Sequence, residues 1–270
     1  MTRPITFLSD YGYGDEFAGV CRGVIARIAP DARLIDITHG LRRHAVRQGA
    51  VVLANSLPFT PPGVHLAVVD PGVGGQRRPV ALRVAEEDRL LVGPDNGVLT
   101  LACERFGGAV EAVDLTTSPH RLEPVTSTFH GRDLFAPAAA QLALDAPLAE
   151  AGEAIDPETL TRVELPEPRL YDDRVVAHVL YVDGFGNATL NLGHDQVRST
   201  FLRLGERVAV AAGTAAITVP FGRTFADVGP GQGIVYEDSS RNLALAVNRE
   251  SAAELLRLNP DDEVVLTPAS

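Results

Sequence analysis

The first 144 residues alternate between short apolar runs and segments with helical periodicity, and this alternation restricts the fold more than any other feature of the chain. The pattern predicts strands at residues 5–9, 34–37, 65–69, 79–85 and 90–92, and helices at residues 16–29, 45–56, 98–106 and 133–144. Chains that alternate in this way fold as α/β layers, because a helix returns the chain between neighbouring parallel strands. We therefore expect an α/β domain with a mostly parallel sheet over residues 1–168.

The pattern changes between residues 146 and 172, where Pro157, Pro166, Pro168 and several acidic residues indicate a linker. Beyond it, short strands are predicted at residues 174–182, 188–192, 206–211, 215–219, 233–237, 243–247 and 262–267, with helical periodicity at residues 250–257. Short strands at regular spacing are typical of a small all-β barrel or sandwich. We expect this second domain to cover residues 172–270.

The charge balance argues against several classes of protein. The chain has 24 basic residues, all of them arginine, against 35 acidic ones, and its net charge is −11. Acidic surface disfavours a nucleic-acid or anionic-membrane partner. The lack of lysine excludes both a Schiff-base lysine and a P-loop. The sequence contains neither a CxxC nor an HExxH motif, so we expect no metal ion.

The apolar segments also bear on location and on the two cysteines. No apolar run reaches the length of a transmembrane helix, and the first residues lack the apolar core of a signal peptide, so we expect a cytoplasmic protein. Cys21 and Cys103 fall in helix-like apolar patterns. We expect both to be buried, unreactive thiols.

Three polar segments carry the groups that most resemble the chemistry of a site. Asp70 and Arg77 lie in VVDPGVGGQRR, His130 lies in STFHGRD, and GPDNG (93–97) lies between them. Catalytic groups collect on loops of a rigid scaffold, and an Asp–Arg pair beside a histidine can orient one water molecule. The alternative is a structural ion pair of Asp70 with Arg77 or Arg78, together with a structural histidine.

Two carboxylates, Asp10 and Asp15, lie between the first predicted strand and the first predicted helix. Open α/β sheets bind ligands at the carboxyl ends of their strands, where such carboxylates suit a ribose diol or an ammonium group. The alternative for Asp15 is a helix N-cap.

The second domain offers the groups that a purine needs. Phe185 and Asn187 lie in the glycine turn VDGFGN, and Phe225 supplies a second ring. An aromatic face supports stacking, and an amide pairs with donors and acceptors on the edge of the base. The alternative is a hairpin turn with a packed phenylalanine.

Taken in order, SDYGYGDEF, VVDPGVGGQRR, GPDNG, STFHGRD, VDGFGN and AVNRESA resemble segments of the S-adenosylmethionine hydrolases, also called hydroxide adenosyltransferases, which are related to the fluorinase and chlorinase. The resemblance spans residues 5–267. It implies a Rossmann-like α/β domain, a C-terminal β-barrel that contributes the adenine site, and a homotrimer. Active sites would lie between the N-terminal domain of one copy and the C-terminal domain of a neighbour. The implied reaction is hydrolysis of S-adenosyl-L-methionine to adenosine and L-methionine, without a cofactor.

The resemblance also implies roles for individual residues. Asp70, Arg77 and His130 would form the triad that positions and activates water. The residues implied to contact the substrate are Asp10 at the ribose, Asp15, Asp183 and Ser239 at the methionine end, Phe185, Asn187 and Phe225 at adenine, the backbone around Val247 and Arg249 at the adenine edge, and also Phe129 and Gly131.

Some features of the sequence depart from the family pattern or leave other reactions open. Asp-Ser-Ser-Arg (238–241) stands where hydrolases often have Asn-Ser-Ser-Gly, and Arg42 and Arg43 stand where relatives often have proline. Transfer of a halide to C5′ is one alternative, because Gly131 is shared with the chlorinase. The fluorinase, however, has tyrosine at the position of Asp70. A non-catalytic protein that binds adenosine or S-adenosylmethionine is the other alternative.

Overall fold

The structure, a computed structural model, describes residues 2–269. They form two units, one ending at Val163 and the other beginning at Glu164. Among the described residues, no helix is both long and apolar enough to cross a membrane.

The first unit is built on one seven-stranded sheet with helices on both faces. Its strands are β1 (Ile5–Ser9), β2 (Leu34–Thr38), β3 (Val64–Val68), β4 (Pro79–Val84), β5 (Leu90–Pro94), β6 (Ala109–Asp114) and β7 (Glu153–Ile155). Its α-helices are α1 (Phe17–Ile28), α2 (Val46–Ser56), α3 (Thr100–Arg105) and α4 (Ala136–Ala143). The predicted strands and helices of this region are present, whereas β6 and β7 were not predicted.

The sheet is mixed rather than mostly parallel. Its order is β2-β1-β3-β5-β4-β6-β7, and the pairings are parallel from β2 to β5 and antiparallel from β5 to β7. The prediction of a mostly parallel sheet is therefore wrong for one half of it. The reason is that residues 85–89 alone join β4 to β5, and a parallel connection needs a dozen or more residues.

Alternate residues of the central strands face opposite helical layers. Phe7 and Leu66 pack with α1 and α4, whereas Leu8 and Ala67 pack with α2 and α3. All four side chains are fully buried, and each large one contributes about 1.5–3 kcal/mol to folding. Packing on both faces holds β1 and β3 in the centre of this unit.

Both cysteines lie in helices of this unit, as predicted. Cys21 in α1 and Cys103 in α3 are free and buried. Burial raises the pKa of Cys21 to about 12 and that of Cys103 to about 11. Because the thiolate is the reactive form, both thiols are unreactive near neutral pH.

Much of the predicted linker belongs to the first unit. Strand β7 pairs with β6, and the N–H of Thr161 donates to Asp95 Oδ1 at 2.7 Å. Residues 146–163 are therefore held on the sheet. Their short, acidic and proline-containing segments lack the periodicity by which a strand is recognised in sequence.

The second unit is an antiparallel sheet that nearly closes into a barrel. Its strands are β8 (Arg169–Leu170), β9 (Val175–Val182), β10 (Ala188–Gly193), β11 (Arg207–Ala212), β12 (Ala215–Pro220), β13 (Gly233–Glu237), β14 (Asn242–Val247) and β15 (Glu263–Pro268), and its helices are α5 (His194–Arg198) and α6 (Ala252–Leu256). The main path runs β12-β11-β15-β9-β10-β14-β13, and an isolated bridge between Phe221 and Val235 joins its two edges. The predicted barrel-like fold is confirmed, while α5 and β8 were not predicted.

Candidate active site

Two carboxylates lie where neighbouring parallel strands end. Asp10 directly follows β1, and Asp70 lies two residues after β3. Because β1 and β3 pair in parallel, both ends open at the same edge of the sheet, where open α/β sheets bind ligands. The fold therefore brings Asp10 and Asp70 to one place.

A glycine-rich loop carries the chain from Asp70 to Arg77. Gly74 within it has a φ of +73°, and a Cβ atom there would collide with the carbonyl oxygen of Ser127. Glycine alone accepts both the left-handed backbone and the close approach. Gly74 thus allows the loop to lie directly against the segment that carries His130.

Arg77 and Asp70 form a largely buried ion pair. Arg77 Nε donates to the two oxygens of Asp70 at 2.9 and 3.1 Å, and Arg77 Nη2 donates to Asp70 Oδ2. The side chains are 9% and 6% exposed. The guanidinium carbon also lies 5.4 Å from the centre of the Phe135 ring. Contacts with a carboxylate and a ring hold the planar guanidinium in one orientation.

His130 completes this cluster. Arg77 Nη2 donates to His130 Nδ1 at 2.7 Å. A guanidinium has only donors, so Nδ1 must accept and the neutral ring carries its proton on Nε2. Burial lowers the pKa of His130 below its usual 6.5 and Arg77 lowers it further, against opposing effects of Asp70 and Asp133. The imidazole is therefore neutral at pH 7.

A π-helical turn, Gly131–Phe135, follows His130 and leads into α4. Asp133 in this turn is buried and accepts from Arg132 Nε at 2.6 Å and from the N–H and hydroxyl of Thr126 at 2.8 and 2.6 Å. Burial alone would raise the pKa of Asp133, but these hydrogen bonds lower it overall. Asp133 therefore stays ionised and fixes the turn beside His130.

The cluster borders a cavity of about 300 Å³, a size typical of small-molecule sites. Asp10, Asp15, Asp70 and His130 all line it. The cavity therefore offers three carboxylates and the neutral imidazole of His130 to a single ligand. Such groups suit hydroxyl and ammonium groups.

Asp10 and Asp15 have different surroundings. Asp10 Oδ2 accepts the N–H of His44 at 2.7 Å, whereas Asp15 is half exposed and lies 3.9 Å from Arg43. Helix α1 has Glu16 at its N-cap, so the capping alternative for Asp15 is wrong. Arg43, which stands where relatives often have proline, lines the same cavity. It therefore forms part of the pocket wall at a position where this chain departs from the family pattern.

Gly131 lines the cavity, but the space beside its Cα atom is taken by a tyrosine. A Cβ atom on Gly131 would collide with the hydroxyl oxygen of Tyr11. The ring centre of Phe129 lies 5.9 Å from that of Tyr11 and 5.1 Å from that of Phe17. Burial raises the pKa of Tyr11 well above 10, so its hydroxyl keeps its proton. Sequence reasoning missed Tyr11, although it adjoins Asp10 in the same motif.

The second unit has a cavity of about 520 Å³. Its lining residues are Phe185, Asn187, Phe225, Val247, Asn248, Arg249, Glu250 and Ser251. Phe185 is 83% exposed and Phe225 is 40% exposed, so the alternative of a packed hairpin phenylalanine does not hold for Phe185. The residues predicted at adenine thus line one cavity, with ring faces available for stacking.

Asp183 orients Asn187 within its own turn. Asp183 Oδ2 accepts from Asn187 Nδ2 at 2.9 Å, and Asp183 Oδ1 accepts the N–H groups of Phe185 and Asn187 at 2.9 Å each. With one amino hydrogen engaged by Asp183, the side chain of Asn187 is held in place and can present its carbonyl oxygen as an acceptor. The expected contact of Asp183 was with the methionine end, whereas its oxygens here hold the turn that carries Asn187.

The turn at residues 238–241 keeps a glycine-type backbone although it contains no glycine. Arg241 has a φ of +65°, and Asp238 Oδ1 accepts the N–H groups of Ser240 and Asn242 at 2.8 and 2.9 Å. The carboxylate of Asp238 thus stabilises a turn whose left-handed backbone at Arg241 is unfavourable for a residue other than glycine. Ser239 lies exposed within this turn.

Comparison with known proteins places the chain among proteins of similar length. Two family models match it, SAM hydroxide adenosyltransferase N-terminal domain over residues 5–152 and SAM hydroxide adenosyltransferase C-terminal domain over residues 177–265. A curated (R)-S-adenosyl-L-methionine hydrolase from Salinispora tropica is 47% identical over 97% of both chains. A fluorinase from Nocardia brasiliensis is 28% identical over 93% of this chain and 92% of its own. The crystal structure of an uncharacterized conserved protein from Thermotoga maritima matches with a TM-score of 0.89 and 33% identity, over 97% of this chain and 99% of its own.

Proposed function

The chain belongs to the SAM hydroxide adenosyltransferase family, and we propose that it hydrolyses S-adenosyl-L-methionine to adenosine and L-methionine. The observation that carries the proposal is the hydrogen-bonded cluster of Asp70, Arg77 and His130 beside a small-molecule cavity. Such a cluster provides acceptors and donors for one water molecule at a place where a ligand fits.

The reaction requires a well-placed oxygen nucleophile rather than an acid. The water oxygen forms a bond to C5′ of the ribose while the C5′–S bond breaks. The electron pair of the broken bond stays on sulfur, so the sulfonium becomes the neutral thioether of methionine and one proton of the water is released. A neutral leaving group needs no protonation. The protein therefore has to hold water in line with the C5′–S bond and accept its proton.

Asp70 is the group best suited to take that proton. His130 Nδ1 already accepts from Arg77 and Nε2 carries a proton, so the neutral ring can donate to water but cannot accept from it. The Asp70 oxygens have lone pairs beyond those that face Arg77. We assign the proton to Asp70, the orientation of water to His130 and the stabilisation of developing hydroxide to Arg77.

The other site residues fit the parts of the substrate. Asp10 pairs with the ribose hydroxyls, and Asp15 pairs with the ammonium group of methionine. Phe185 and Phe225 stack on adenine, and the carbonyl oxygen of Asn187 accepts from its 6-amino group. In each pairing a hydrogen-bond donor of the substrate meets an oxygen acceptor of the protein, or the face of adenine meets an aromatic ring.

We extend the proposal to the assembly. The chain forms a homotrimer in the cytoplasm, in which the triad of one copy and the adenine cavity of a neighbouring copy complete each site. The support is the resemblance to the family over both domains. The reaction needs no cofactor, because the sulfonium already activates C5′.

Transfer of a halide to C5′ is the competing reaction, and one relative is named a fluorinase. The carboxylate of Asp70 is 6% exposed and repels a halide that must lose its hydration, whereas water gains an acceptor there. The test is incubation with S-adenosyl-L-methionine, with and without chloride, followed by chromatography. Adenosine and methionine in both samples support hydrolysis, and 5′-chloroadenosine as the main product overturns it.

The same assay separates an enzyme from a non-catalytic binding protein. A protein that only binds adenosine or S-adenosylmethionine needs the cavity of the second unit but not the triad. Binding without any turnover would support that alternative. The name of the Salinispora tropica relative specifies the (R) epimer, so we propose that the (R) sulfonium is the substrate, and separate incubation with each epimer tests it.

A further inference from the structure

The turn GPDNG (93–97) stands out in the sequence, yet the chemistry above gives it no role. It begins at the end of β5, which pairs with β3. Asn96 contacts the chain before the loop that carries Asp70 and Arg77, and Asp95 contacts Arg78 directly after that loop. This loop contributes two of the three residues of the triad.

Asn96 holds the chain just before Asp70. Its Nδ2 atom donates to the carbonyl oxygen of Val69 at 2.8 Å, and its Oδ1 atom accepts the N–H of Val98 at 3.2 Å. Both ends of the amide are therefore engaged. The Asn96 side chain fixes the carbonyl that immediately precedes the catalytic carboxylate.

Asp95 holds the chain just after Arg77. Arg78 Nε and Nη2 donate to Asp95 Oδ2 at 2.9 and 2.6 Å, and the N–H of Asp95 donates to the carbonyl oxygen of Arg78 at 2.8 Å. The Asp95 side chain is only 5% exposed. Its other oxygen accepts the N–H of Thr161 at 2.7 Å. The carboxylate thus holds Arg78 with one oxygen and the main chain of Thr161 with the other.

We propose that Asp95 and Asn96 are positioning residues for the triad, because they clamp the two ends of the loop from Asp70 to Arg77. The inference rests on the proposed hydrolysis. The Asp70–Arg77 ion pair and two turn hydrogen bonds, Val73 N–H to Asp70 O and Gly75 N–H to Gly72 O, shape the loop internally, and its two anchors set where the loop as a whole lies. A shift of about 1 Å in a catalytic group can cost about a hundredfold in rate.

The experiment compares turnover of S-adenosyl-L-methionine, and melting temperature, in the wild type and in the variants D95N, N96S, R78Q and R78K. Arg83→Gln is the matched control, because Arg83 is also 30% exposed, lies in β4 and pairs with Asp88 and Glu111 away from the loop. D95N and N96S are expected to lower kcat by about tenfold or more with KM changed by less than about threefold. R78K is expected to recover activity that R78Q loses, since it keeps the charge, and R83Q is expected to match the wild type.

The outcomes are distinct from those that test the function. An inactive wild type overturns the proposed hydrolysis. An active wild type with kcat within about twofold in folded D95N and N96S overturns the positioning role. A loss confined to KM, or an equal loss in R83Q, overturns it as well. If D95N does not fold, N96S and the comparison of R78K with R78Q decide the question.

Discussion

One hydrogen bond, from Arg77, restricts what the imidazole of His130 can do in the reaction. Arg77 can only donate, so His130 Nδ1 must accept, and this fixes both the tautomer and the orientation of the ring. A positive His130 would lose that bond and face the guanidinium as a second cation. The ring thus serves the cluster only while it is neutral.

Substitutions of His130 distinguish a role of the ring in the reaction from a role in holding the structure. His130→Ala is expected to lower kcat by about 10²–10⁴-fold, because water loses the Nε2–H donor, while binding of adenosine stays within about threefold. His130→Asn keeps an acceptor near the position of Nδ1 for Arg77 and is expected to restore stability but not turnover. Steady-state kinetics, calorimetric titration with adenosine and thermal unfolding provide the readouts. Turnover close to that of the wild type in either variant would remove His130 from the mechanism.

The pH dependence of the rate follows from the same contact. Burial and Arg77 lower the pKa of His130 below 6.5, so the ring is half protonated, and activity half lost, only at a pH below that value. We expect kcat/KM to fall on the acid side with a midpoint below pH 6.5. His130→Asn, which has no titratable ring, is expected to lack this acid limb. A midpoint above 6.5 in the wild type would contradict the assignment.

At the scale of elements, the site depends on how closely the loop after β3 approaches the segment before α4. Gly74→Ala is expected to lower kcat at least about tenfold and the free energy of unfolding by about 1–3 kcal/mol, because the methyl group meets the Ser127 carbonyl. Gly108→Ala is the control, since Gly108 has a φ of +87° but open space around it. It is expected to lose stability through backbone strain while keeping kcat. Equal effects of both variants on kcat would show that strain, rather than docking of the loop, is responsible.

The sequence predicts those elements whose side chains alternate between core and solvent or lie in uniformly apolar runs. Strand β3 is buried at every position and α1 buries one face, and both were recognised. Strand β6 buries only Ala112 and Val113, and β7 has three half-exposed or exposed residues, so neither gives a clear period. The antiparallel half of the sheet depends on the short link after β4, which periodicity does not describe.

The residues of the candidate site that could be predicted are those with a recognisable pattern in the neighbouring sequence. Asp70, Arg77 and His130 are polar groups beside glycine or proline in an apolar chain, and the structure brings them together. The contacts of Tyr11 and Asn96 join segments far apart in sequence. Only the folded arrangement of strands reveals them.

At the scale of the whole molecule, buried neutral histidines make stability depend on pH. His65 is fully buried, and its Nε2 accepts from Arg89 Nη1 at 3.1 Å. Burial, followed by Arg89, lowers the pKa of His65 from 6.5 to about 3. Burial likewise lowers the pKa values of His39, His120 and His130. Below pH 6.5 the unfolded chain takes up protons that the folded chain does not, so stability is complete above pH 6.5 and declines towards pH 3.

His65→Gln tests this dependence. Glutamine keeps an acceptor for Arg89 but cannot be protonated, so the variant is expected to be less stable at pH 7 yet less sensitive to acid. Between pH 6 and pH 4, the slope of unfolding free energy against pH should be shallower by up to about 1.4 kcal/mol per pH unit, the effect of one proton. Urea unfolding at a series of pH values measures it. An unchanged slope would show that His65 is protonated in the folded protein.

Complementation between two inactive variants tests the proposed assembly. His130→Ala disables the triad, and Asn187→Ala weakens the adenine cavity, so each protein alone is expected to have low kcat/KM. If one copy supplies the triad and a neighbour supplies the adenine cavity, coexpression creates sites in which both parts are intact. Random mixing of the two chains in a trimer restores about a quarter of the sites. Activity of the coexpressed sample no higher than the average of the two variants would show that each site is built from a single copy, even if light scattering gives the mass of a trimer.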